Sequence, residues 1–198
     1  FVVTATQLTI STIVAAPAST GYGLEESATT AGLILLPMGI VGTVAAPLTG
    51  RLERLLSARG VMALAGGAIV ASCATLLVAR GEPGALAASA MLVGFGLGIG
   101  VTQAMNTVVT AVPVSRVASV AGAAFVIRSV GSTLGGQVSG GILAGDLLPD
   151  VAVPSWSAFS SVFAVAAVLA VVALLLSRAL PGRRSVSIHA AAVRILEA

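Results

Sequence analysis

The sequence predicts an all-α membrane protein of six transmembrane helices, and three observations carry that prediction. Six apolar runs, approximately 1–20, 28–49, 60–79, 84–111, 118–145 and 157–179, each approach or exceed the roughly 20 residues that span a hydrocarbon core. Of the 198 residues, 57% are hydrophobic and only 9% charged, which excludes an ordinary water-soluble domain. No run alternates apolar and polar residues with a period of two, so helices and not barrel strands must satisfy the backbone in lipid.

The charges set a topology. Every basic residue is an arginine. Placing the connection 50–59 in the cytoplasm puts Arg51, Arg54, Arg59, Arg116, Arg178, Arg183, Arg184 and Arg194 on that side. Arg80 then falls outside and Arg128 within a span, while Glu25, Glu26, Glu82, Asp146 and Asp150 fall outside. Short loops rich in arginine stay cytoplasmic, so both ends of the chain are expected on the inner face of a cell membrane. The net charge of +3 is too dispersed for nucleic acid, with neither a basic stripe nor interleaved aromatics. The single Cys73 supports no disulfide framework or metal cluster and reads as a small packing residue. The chain opens at Phe1 already inside an apolar run, without the charged region of a signal peptide. A fragment lacking an N-terminal part is the expectation.

The first run carries Thr4, Gln7 and Ser11 on one helical face. Such a stripe either lines a protein cavity or consists of hydroxyls bonded back to their own helix, although the Gln7 amide cannot hide that way. Pro17 is expected to bend the outer end of this run. The second run contains Pro37 and Pro47, each a kink that neighbouring helices must tolerate. The third and sixth runs are nearly unbroken and read as outer helices facing lipid.

The fourth run alternates Gly94, Gly96, Gly98 and Gly100, and the fifth holds Gly131, Gly135, Gly136, Gly140 and Gly141. Neither has the spacing, strand or lysine of a phosphate-binding loop. In a bilayer, small residues let helix backbones approach, so the fourth and fifth helices are expected to pack tightly within a bundle.

Arg128 is the sharpest single residue. It lies near the midplane of the fifth span, where an arginine costs about 2.5–3.5 kcal/mol on insertion scales. No Asp or Glu lies within any of the six runs, so its partner is a missing segment, a carbonyl, water or an anionic substrate group. Arg128, Ser132, Gly135 and Ser139 share a face, which either lines an aqueous path or fixes helix contacts. On the fourth span Gln103, Asn106, Thr107 and Thr110 form a second polar face, for a cavity or for interhelical hydrogen bonds. No acid–base pair, nucleophile triad or metal-ligand spacing is present, so an enzyme, a metal or another cofactor is not expected. His189, in the tail 180–198, reads as a solvated bystander.

Several segments in order resemble one family: Ala31–Gly39 with Pro37, Pro47-Leu-Thr-Gly50-Arg51-Leu52-Glu53-Arg54, Val112-Pro113, Ala118–Gly122, and Arg128-Ser-Val-Gly131 with Gly135. Together they resemble the C-terminal six spans of a major facilitator superfamily transporter, most like the 14-span drug:proton antiporter branch in an actinobacterial style. Gly50, Arg51, Glu53 and Arg54 match that superfamily's loop motif, associated with helix packing and gating, with the acid one position early. Arg128 matches the arginine of an N-x-x-R-x-x-G-type segment whose asparagine is here Phe125. The resemblance implies two inverted three-helix repeats, 1–79 and 84–179. It also implies a central cavity lined by helices one, two, four and five. It further implies proton-coupled efflux of small amphipathic compounds by alternating access, driven by the proton gradient, with the missing N-terminal half as partner. The competing expectation is a non-transporting six-span module, either a truncated product or a scaffold pairing with another chain.

Overall fold

The computed structural model describes residues 1–80, 82–148 and 152–177. The tail 180–198 lies outside them, as do Arg178 and Asp150. Among the described residues the chain is all-helical, with α1 (Val2–Ala15), α2 (Ala28–Ala79), α3 (Pro83–Ala111), α4 (Val114–Gly145) and α5 (Trp156–Ser177). Four of these, α2 to α5, are long and apolar enough to cross a membrane, and α1 is a shorter apolar helix. Large side chains such as Leu33 (62% exposed), Ile127 (72%) and Leu176 (68%) face outward, as befits a protein whose solvent is lipid. The chain is a membrane protein.

Helix α1 ends earlier than the apolar run that encodes it. Ala16 is extended (φ −66°, ψ 145°), the conformation that a following proline imposes, so Pro17 stops the helix instead of bending it. The chain then turns through Gly21 (φ 77°) and folds back over the helix end. There the amides of Leu24, Glu25 and Glu26 donate to the carbonyls of Ile13 (3.3 Å), Ala16 (2.8 Å) and Val14 (2.9 Å). Carbonyls that the helix terminus would leave without partners are thereby satisfied inside the protein. Ser27 caps the next helix, its Oγ accepting from the Thr30 amide at 3.3 Å.

The expected 50–59 connection is not a loop. Helix α2 continues through it and breaks only at Ser57 (φ 70°, ψ 165°), a backbone region otherwise left to glycine. The segment's leucines, arginines and glutamate are good helix formers, and Leu52 packs against Ala45, Val61, Ala65 and Ile99. Ala45 and Val61 share that cluster, so the two arms, 28–56 and 58–79, fold back on each other.

Helix α3 lies between these arms, and its alternating glycines explain how. Residues two apart on a helix point about 200° apart at 3.6 residues per turn. Gly94 and Gly98 therefore face one arm, where an added Cβ would collide with the Met38 and Gly42 carbonyls. Gly96 and Gly100 face the other arm, at Ala65. The order of contacts, Met38 to Gly94 and Gly42 to Gly98, makes 28–56 parallel to α3. Ala65 at Gly96 and Ser72 at Ser89 make 58–79 antiparallel to it.

The glycines of the fourth and fifth helices meet other helices and not each other. Those of α3 meet α2, and Gly135 and Gly136 of α4 meet Phe1 and Thr4 of α1. Gly131, Gly140 and Gly141 have nothing within 4 Å of an added Cβ. Only Gly135, Ser139 and Leu143 of α4 are buried, all in its second half.

The end of the bundle holding the α1–α2 and α4–α5 connections is clamped. Tyr22 packs edge-on to Phe159 (centroids 5.3 Å apart) and beside Trp156 (5.8 Å), and its hydroxyl donates to the Pro154 carbonyl. Burial pushes the Tyr22 phenol up, partly offset by hydrogen bonding to Thr20, which keeps it a donor. Asp146 accepts from the Ser155 and Ser157 hydroxyls, and those bonds hold its carboxyl below the ordinary 3.8.

Two predictions follow from these contacts. Gly98→Ala is expected to cost about 1–3 kcal/mol through overpacking. Gly140→Ala, in open space, is expected to be neutral or to gain up to about 1 kcal/mol of helix propensity. Thermal unfolding in detergent checks the contrast, and equal effects at both positions would contradict the α2–α3 contact. For Asp146, a lowered native pKa places the stabilisation above pH 3.8 and removes it as the pH falls through the native value. Asp146→Ala is expected to flatten the acid limb of the stability profile. Carboxylate NMR should find a midpoint under 3.8; one at or above it rejects the clamp.

Candidate functional site

Two cavities of about 330 Å³ flank α3, one on each side. The first lies between the 58–79 arm, α3 and α5, walled by residues such as Met62, Ile69, Leu97, Met105 and Leu174. The second lies between the 28–56 arm and α3, beside Gly42, Thr43, Gly98 and Thr102. Leu97 and Val101 belong to both walls, and Arg128 of α4 borders both. Arg128 sits near the middle of its helix, about 21 Å from Val114 at 1.5 Å per residue. Its side chain is exposed, and it has no hydrogen bond or ion pair among the described residues.

The polar residues singled out in the sequence do not all converge. Thr4 crosses to α4, with its Oγ1 2.8 Å from the Ser132 Oγ and 3.3 Å from the Ser132 carbonyl. Gln7 and Ser11, on the same nominal stripe, are exposed. Gln103 is fully buried; its Nε2 reaches the Thr107 Oγ1 at 3.5 Å and its Oε1 has no partner. Asn106 is exposed, Thr107 donates to the Gln103 carbonyl (2.9 Å), and Thr110 to that of Asn106 (2.8 Å). Two outcomes are therefore mixed on one helix face: hydroxyls turned back on their own backbone, and one amide driven inward.

Gly50, Arg51, Glu53 and Arg54 lie on α2 within the two turns before the Ser57 break. Gly50 faces open space, and Leu52, between them, is the side chain that packs inward. None of the quartet lines either cavity, although Ala46 of the second lies one turn before Gly50.

Sequence reasoning missed the contribution of the third and sixth runs. They were expected to face lipid, yet Met62 and Ile69 of the 58–79 arm and Leu174 of α5 wall the first cavity. The signal was Gly66, where an added Cβ would lie 3.3 Å from Leu174. A hydrogen bond buried between Ser72 and Ser89 (2.9 Å) was also unforeseen, because each is a lone hydroxyl in its own run. Thr9, Thr49 and Ser139 are buried with side-chain oxygens that lack a partner.

No group of three or more potential metal ligands occurs among the described residues. Comparison with known proteins finds no matching family model, no matching curated protein and no matching solved structure. The arrangement can offer a ligand an apolar recess, a fixed positive charge at its mouth and small-residue helix contacts beside it.

The Thr4–Ser132 contact is a direct test of how α1 and α4 associate. Thr4→Val and Ser132→Ala are each expected to destabilise, with a coupling of about 0.6 kcal/mol and at most about 1.7 kcal/mol. A double-mutant cycle on unfolding in detergent measures it. Strict additivity of the two substitutions would remove the hydrogen bond from the account.

Proposed function

We propose that the chain is the C-terminal, six-helix half of a secondary transporter of the major facilitator type. In this reading it exports small amphipathic compounds against proton entry. The observation that carries the proposal is Arg128, a charge near the middle of an apolar helix on the lining of two cavities. An ionisable residue at that depth is expensive and marks a substrate or ion path by default.

Three further features support the reading. The arms 28–56 and 58–79 run in opposite directions beside α3, as successive spans must. The arginine-rich connections favour a topology with both ends of the chain on the cytoplasmic face of the cell membrane. No residue in the most apolar stretch of α4 is fully buried, which leaves a face for a second bundle, the transporter's other half. Alternating access then consists of rocking the two halves around a midplane site, with 1–79 and 84–179 as inverted repeats. The glycine contacts of α3 allow small slides, and the Gly50–Arg54 segment beside Ser57 is the gating element. The proton-titrating group is assigned to the other half, since no carboxylate lies in the six apolar runs. No cofactor beyond the proton gradient takes part.

Proteoliposomes holding the complete transporter, loaded with cationic and anionic amphipathic dyes under an imposed pH gradient, test the reading. Gradient-driven dye flux that a protonophore abolishes is the expected result. Arg128→Ala at equal reconstitution should lower that flux at least about tenfold, as loss of a buried charge contact does. Unchanged flux would remove Arg128 from the site. No gradient-driven flux of any dye would leave the alternative, a six-span module that pairs without transporting.

A further inference from the structure

We infer that the cavity between the 58–79 arm, α3 and α5 binds a lipophilic organic anion, an oxyanion head on an apolar body, with Arg128 as counter-ion. The inference rests on the transport reading and names its substrate class, but the binding it describes is measurable without transport.

The volume of about 330 Å³ is at the lower end of what small-molecule sites enclose. Its walls are apolar, with Met62, Ile69, Leu97, Met105, Val108 and Leu174 contributing side chains and the small residues of α3 leaving the room. Arg128 is the one charged side chain on that lining. A guanidinium remains protonated at any physiological pH, and this one is without a partner among the described residues. Among the described residues, no carboxylate pairs with it.

Charge and polarity together select the ligand. A lipophilic cation meets a like charge with nothing to neutralise it. A neutral ligand fills the recess but leaves the guanidinium unpaired in a low-dielectric setting. A small hydrophilic anion pairs with Arg128 but gains nothing from the walls. A carboxylate, sulfonate or phosphate ester on a hydrocarbon body does both, and its two oxygens match the planar fork of arginine. Because Arg128 borders both cavities, the head belongs at their common mouth and the apolar body in the recess beside Leu174. A free lipophilic acid and an acidic phospholipid of the bilayer present this same chemistry.

The test is equilibrium binding of 11-(dansylamino)undecanoate to the chain in phosphatidylcholine nanodiscs, read by dansyl fluorescence. Dodecanoate is expected to displace the probe. Methyl dodecanoate and dodecyltrimethylammonium should compete at least about tenfold more weakly, the value of one charge-assisted contact. Arg128→Gln should weaken the probe by a similar factor, with Arg128→Lys recovering much of the loss. Ala104→Phe, which fills the recess and keeps the charge, should weaken it as well. Where Arg128→Gln does not fold, the ranking of the three competitors on the unaltered chain decides. Equal competition by acid, ester and ammonium, or full affinity in a folded Arg128→Gln chain, overturns the inference. Phosphatidylglycerol added to the nanodiscs separates the sources. Lowered probe affinity that depends on Arg128 identifies the lipid headgroup, and undiminished affinity identifies the free acid; both uphold the chemistry. Anion-selective binding without any dye transport would keep this site and sink the transport reading. Charge-indifferent binding with intact transport would do the reverse.

Discussion

Helix α3 touches both arms of α2 backbone to backbone, and the rest of the bundle is arranged around that contact. Water drives no association between apolar helices in a bilayer, so close packing and local hydrogen bonds must hold them. Four glycines at alternate positions give α3 two opposed faces without side chains, Gly94 with Gly98 and Gly96 with Gly100. One arm comes to rest on each. The carbonyls of Met38 and Gly42 occupy space that any Cβ would fill, so this geometry belongs to glycine alone. Where the two arms diverge from α3, they leave the two cavities that Arg128 overlooks.

A second constraint is the handling of polar groups where lipid offers no partner. Most threonines of the long helices solve it locally, as Thr43 does at the Gly39 carbonyl (2.8 Å) and Thr102 at that of Gly98 (2.8 Å). Others join helices, Thr4 to Ser132 and Ser72 to Ser89. A few side-chain oxygens are buried without a partner among the described residues, those of Thr9, Thr49 and Ser139 and the Oε1 of Gln103. An unpaired buried oxygen costs free energy, so these positions are where the bundle has unspent capacity for water or ligand.

The two ends of the bundle differ in construction. At one, folded-back amides close α1, Ser27 and Ser155 cap the next helices, and Tyr22 ties the two connections together through Pro154. At the other, a single residue, Ser57, turns α2 in a conformation costing on the order of 1–3 kcal/mol. One end is thus closed by hydrogen bonds and ring packing, and the other by a strained single-residue turn.

The sequence by itself determined the apolar setting and the all-helical class. Long apolar runs without a two-residue period leave helices as the answer, because backbone groups in lipid must pair within their own segment. It also determined that Pro17 and Arg128 were exceptional, since a proline and a mid-helix charge carry their cost wherever the helix packs. Partnership is what only the tertiary structure decided. Gly94 to Gly100 signalled close approach, yet nothing local says that the two pairs face different arms or that α4 packs on α1. Thr4, Gln7 and Ser11 are equivalent by periodicity and separate only when α4 covers the first of them. Leu52 and the helix formers around it carried α2 through a charged stretch that composition alone reads as a loop. Helix identity is set by contacts within a few residues, whereas cavity walls are set by which distant helix arrives, and that depends on packing summed over the whole bundle.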